Sequence, residues 1–173
     1  RQQKIQRSAL IKKIARIYAF KSVVELEFPT TKLDQIPMAN LVESFRKAFA
    51  AIKPHTVYLP FHGDVHSDHA RVFESSISAL KWFRCAGVSR VLSYETLSET
   101  EQQISGNADA GFNPNVFVDI SSSLQRKLTV LAQYRSELRP FPFPRSKKAV
   151  QALAEFRGAT AGYNAAEAFV LLR

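Results

Sequence analysis

Cysteine is almost absent from this chain. Its one thiol, Cys85, excludes an internal disulfide and a zinc site built on thiolates. A reducing cytoplasm is the expected compartment. Cys85 falls inside a helical pattern, where a small core residue and a nucleophile are the two readings. Long apolar runs are also missing. Nothing approaches the ~18 consecutive apolar residues of a membrane span, so no spanning segment is expected. The first twenty residues are basic and amphipathic, without the apolar block and cleavage site of a secretory leader. Acidic residues are scarce: 15 against 24 Lys and Arg, a net charge of +9. Such a deficit suits an anionic partner. However, Lys4, Arg7, Lys12, Lys13, Arg16 and Lys21 crowd the amino terminus, where a solvated helix face explains them equally well. No RNA-binding aromatic signature or DNA-binding motif accompanies them, so nucleic acid is not expected as a partner. Internal repeats and domain boundaries are absent too. Residues 1–173 therefore read as one domain, long enough to bury a core.

What is present alternates between two periods. Residues 5–20 place Leu10, Ile14, Ile17 and Tyr18 on one helical face. Val24, Leu26 and Phe28 alternate with Glu25 and Glu27, which predicts a strand. Met38, Leu41, Val42, Phe45, Phe49 and Ile52 recur at helical spacing, and Pro54 stops that helix. Residues 56–61 are nearly all apolar, as in a strand buried on both faces. Ala70, Phe73, Ile77, Leu80 and Phe83 form another stripe, with Gly87 as its stop. Residues 88–94 and 116–120 read as strands. The polar segment 99–114 reads as a functional loop. Ser121 to Ser123 can cap a helix that carries Leu124, Leu128, Leu131 and Leu138. Residues 146–157 form a last helix, and 165–172 end the chain as helix or strand. This order predicts a three-layer, Rossmann-like α/β domain with a mainly parallel sheet.

Chemistry concentrates in one place. Three of the four histidines, His62, His66 and His69, lie within eight residues, with Asp64 and Asp68 among them. They follow the apolar run at 56–61, and the carboxyl ends of strands are where open α/β sheets place reactive groups. His66 and His69 would project from one face of a first helical turn. Such a pair can ligate zinc, which in catalytic sites takes three protein ligands and a water. Asp68 could fix an imidazole tautomer. The same residues also read as helix caps and solvent-facing histidines. Two histidines do not complete a metal site, and His55 and His62 are the only others.

The stretch from Pro54 through Asp64-Val65-His66-Ser67-Asp68-His69 resembles the LmbE/PIG-L family of zinc-dependent N-acetylglucosamine de-N-acetylases. So do Asp119-Ile120-Ser121 with Lys127 and Tyr134-Arg135-Ser136-Glu137, and Arg157-Gly158 with Ala166-Glu167-Ala168-Phe169. The resemblance implies His69 as a zinc ligand. It implies His66 as the group that stabilises the tetrahedral intermediate or acts as general acid. Asp68 would orient a histidine, Arg7 (or Arg1) would contact substrate, and Asp64 would line the pocket entrance. The family's opening strand, ending His-Pro-Asp-Asp-Glu, supplies the general base and the other two zinc ligands. Nothing here matches it. Either the chain is a fragment lacking that strand or it is a degenerate member; the non-Met start and the full downstream pattern favour a fragment, inactive alone. The expected activity of the intact protein is zinc-dependent removal of acetyl from an N-acetylated amino sugar in a glycan, glycolipid or metabolite. Two alternatives stand beside it: a non-catalytic module binding a sugar or nucleotide-sugar, and a basic nucleic-acid-binding domain. Aromatics near Phe141 and Phe143 serve equally for specificity, packing or contacts within a homo-oligomer.

Overall fold

A computed structural model describes residues 2–103 and 111–173. The elements are α1 (Gln2–Ile17), a 3-10 turn (Leu33–Gln35), α2 (Met38–Ile52), β1 (Thr56–Pro60), α3 (Ser67–Ala79), β2 (Arg90–Tyr94), β3 (Val116–Asp119), α4 (Leu124–Leu131), α5 (Lys147–Ala161) and β4 (Ala166–Leu171). The strands form one sheet in the order β1-β2-β4-β3. β1 and β2 are parallel, with Val57 opposite Val91 and Leu59 opposite Ser93. β4 runs against both of its neighbours. Three of the four strands thus share a direction, and the last to be made lies between β2 and β3.

Two helical layers cover the sheet. On one face, Val57, Leu59 and Val91 form a core cluster with Leu80 and Val88, joined by Phe49 of α2 and Phe73 of α3. α3 approaches closely because its inner face carries Ser75, Ser76 and Ala79, all fully buried. On the other face, Leu124 and Leu128 of α4 pack with Val150 and Ala154 of α5 and with Ala165. The predicted three-layer α/β architecture is observed.

The elements depart from the sequence pattern in four places. Residues 24–28 form no strand: Glu27 has φ 62°, which breaks an extended ladder, and Val23 and Val24 are exposed. β1 is not buried on both faces, since Tyr58 is 52% exposed on the α4/α5 side. α3 stops at Ala79, well before Gly87, because Lys81 O accepts the amides of Arg84 and Cys85 and closes a turn there. The α4 pattern ends at Leu131, leaving Leu138 beyond the helix. The chain's ending is a strand, β4. Ser146 caps α5 by accepting the Ala149 amide at 3.2 Å. Of the predicted loop 99–114, residues 104–110 lie outside the described residues.

Candidate active site

The histidine cluster sits in the turn from the carboxyl end of β1 into the first turn of α3. Gly63 makes room there: a Cβ would lie 2.6 Å from the Phe61 ring and 2.6 Å from the Gln103 side chain, and these neighbours would have to shift. Asp64 has a fully buried side chain, and its Oδ2 lies 2.6 Å from His69 Nδ1. Its other oxygen accepts the Thr100 hydroxyl at 2.6 Å. That hydroxyl in turn accepts the Thr96 amide at 2.8 Å. A buried carboxylate holding Nδ1 makes that nitrogen the donor, so the lone pair of His69 is on Nε2.

His66 is wired the opposite way. It is the N-cap of α3, and its Nδ1 accepts the Asp68 amide at 3.2 Å. A neutral His66 therefore carries its proton on Nε2. The two imidazoles stack, with centroids 4.9 Å apart and planes 17° from parallel. One ring thus offers an acceptor and its neighbour a donor. The Nε2 of His66 can therefore donate a hydrogen bond, while that of His69 is free to accept one or to ligate a metal.

Asp68 does not orient a histidine through its carboxylate. Its two oxygens accept the amides of Thr31 at 2.7 Å and Leu33 at 3.2 Å. This buried carboxylate staples the 29–33 loop to α3, and the residue oriented toward His69 is Asp64. Arg7 is engaged elsewhere. Its guanidinium bonds Glu137 at 2.5 Å and lies 5.1 Å from the Tyr134 ring centroid. His62 packs on Phe61 and Phe73, away from this pairing. Among the described residues, no group of three His, Cys, Asp or Glu side chains could hold a metal ion.

Three features go beyond the sequence reading. Thr100 reaches Asp64 from 36 positions away. Arg157 makes a bidentate pair with Glu95 at 2.8 and 2.6 Å, and both side chains are under a fifth exposed. A cleft of about 590 Å³ opens between the sheet and α4/α5, with Tyr58, Tyr94, Phe169 and Arg157 on its walls. The histidines do not line that cleft. Tyr94 connects the two regions: burial, and then the charge of Asp64, raise its phenol above the usual value. A smaller recess of about 290 Å³ is lined by Glu95, Thr100 and Arg157. Gly158, next to Arg157, lets α5 touch the following loop, since a Cβ there would meet Tyr163 O at 2.6 Å and Ala165 Cα at 2.8 Å.

No family model and no curated protein sequence matches this chain. Solved structures do. A conserved protein from Thermus thermophilus superposes with a TM-score of 0.74 at 21% identity, over 95% of this chain and 71% of that one. The N,N'-diacetylchitobiose deacetylase of Pyrococcus horikoshii, in complex with an inhibitor, superposes with a TM-score of 0.72 at 19% identity. That match covers 96% of this chain and 62% of the deacetylase. The chain has the fold of these two proteins over nearly its whole length.

Proposed function

We propose that this chain forms part of a zinc-dependent N-deacetylase acting on N-acetylated amino sugars. One observation carries the reading: the stacked His66–His69 pair, wired as donor and acceptor, with His69 held by buried Asp64. Its likeness to a diacetylchitobiose deacetylase supports the same reaction class.

The residues present fit one coordination position for zinc. His69 Nε2, with Nδ1 tethered to a carboxylate, has the arrangement usual for a metal-bound imidazole. Catalytic zinc takes three protein ligands, more than the described residues bring together. Zinc, when bound, supplies an activated water and polarises the acyl carbonyl. His66 Nε2–H would donate a hydrogen bond to the developing oxyanion. Asp64 keeps His69 in the ligating tautomer. Thr100 holds Asp64, and Asp68 fixes the loop against α3. A role for Arg7 in contacting substrate requires that it leave Glu137.

The test is a protein that contains this chain and turns over an N-acetylglucosamine conjugate. Free amine should appear only with zinc bound. His69→Ala should lower the zinc content, and His66→Ala should keep the zinc while losing turnover by about 10²–10³-fold. Residues 1–173 alone should show no turnover. Sugar binding without zinc in the complete protein would favour a non-catalytic module instead.

A further inference from the structure

The end of the sheet opposite the histidines carries a surface that deacetylation does not use. No Asp or Glu occurs between Glu43 and Asp64, nor between Glu74 and Glu95. These two segments meet in space: the amides of Ser89 and Arg90 both donate to His55 O. Phe49 packs with Leu80, Val88 and Cys85 in one cluster, which anchors the turn after α3 from below. Above that anchor the surface is apolar and basic. Trp82 is 74% exposed, Phe83 62% and Ile52 50%. Lys53 follows Ile52, Lys81 precedes Trp82, Arg84 lies over the Phe83 ring, and Arg90 sits where the two segments meet, all exposed. The two aromatic rings touch edge to face, 5.8 Å apart and 89° between planes.

We propose that the turn carrying Trp82 and Phe83 is a docking surface for anionic phospholipid membranes. Indole and phenyl side chains partition into the headgroup boundary of a bilayer, and flanking cations meet its negative surface potential. Four cations, with the bordering carboxylate of Glu43 already paired to Arg46 and Lys47, disfavour a second copy of this chain, because a two-fold interface would set like charges against each other. The perpendicular rings disfavour single-stranded nucleic acid, whose successive bases need a parallel stacking platform. The placement also suits an enzyme. β1 spans five residues between this end and the histidines, a separation of about 16 Å, so docking leaves the histidine turn open.

Trp82 is the sole tryptophan, so its emission reports the surface directly. The 173-residue chain is titrated with vesicles of phosphatidylcholine, and with vesicles rich in phosphatidylglycerol. Only the anionic vesicles should shift the emission to the blue, and brominated acyl chains should quench it. The double variant Lys53→Glu/Lys81→Glu should bind at least about tenfold more weakly, since each cation is worth roughly fivefold. Trp82→Ser, followed by co-sedimentation, should also bind more weakly while keeping its circular dichroism spectrum. Unchanged emission with anionic vesicles would overturn the proposal. So would tighter binding to a single-stranded oligonucleotide, or dimerisation that buries Trp82.

Discussion

The two faces of the sheet are held by different means. Toward α2 and α3, aliphatic side chains interdigitate and small residues bring a helix close. Toward α4 and α5, a cleft of about 590 Å³ separates the layers. Beside the apolar cluster of Leu124, Leu128, Val150, Ala154 and Ala165, the contacts there are an ion pair, a tight glycine crossing and a loose aromatic group. One face is a continuous apolar contact with its helices. The other is fastened at a few points, and an open, partly polar cleft is the kind of place that admits ligands.

Paired substitutions should expose this contrast. Leu59→Ala, on the dense face, should lose about 2–5 kcal/mol of stability in denaturant unfolding. Glu95→Ala should cost about 3 kcal/mol, because it strands Arg157 in a site less than a fifth exposed. A loss confined to the surface-pair range, under about 1 kcal/mol, would mean that water reaches the pair freely. Gly158→Ala forces backbone apart at Tyr163 and Ala165, at about 1–3 kcal/mol. Tyr58→Ala, next door to Leu59 but facing the cleft, should cost only about 1 kcal/mol, chiefly its ring contact with Phe169. Equal losses at positions 58 and 59 would erase the distinction between the faces.

Alkaline titration gives the smallest effect. Burial and the charge of Asp64 hold the Tyr94 phenol above its ordinary value. Below the unfolded value of about 10 this residue leaves stability unchanged. As pH rises from there through the higher folded value, that part of the stability is lost. Tyr94→Phe should therefore unfold at higher pH than the parent when followed by circular dichroism.

Sequence pattern revealed the helices and strands wherever one face meets a packed neighbour. The stripe of α2 ends at Ile52, as its period and Pro54 require. It misled where packing was not the cause. The alternation at 24–28 has no ladder beside it, and the stripe through Phe83 overran a turn that leaves this ring in solvent. The site was half legible. Clustering drew attention to His66 and His69, but which aspartate serves which partner depends on loop geometry. Asp64 and Asp68 have the same chemistry and are four positions apart. One faces His69 and Thr100, and the other faces backbone amides at Thr31 and Leu33. Glu95 escaped notice, and Thr100 was not singled out within its loop, because single polar residues distant in sequence from their partners leave no periodic trace.

The strand order carries a consequence for biosynthesis. β4, the latest strand in the sequence, fills the gap between β2 and β3. Arg173 then clamps the carbonyls of Leu80 and Val88 at 2.8 Å each. While a ribosome still shelters these residues, β3 has no partner in this sheet and the outer edge of β2 stands bare. A nascent chain stalled at this stage presents open strand edges of the kind that draw chaperones or join other chains. Emergence of β4, more than that of any helix, is the event that joins β2 to β3 in the described sheet.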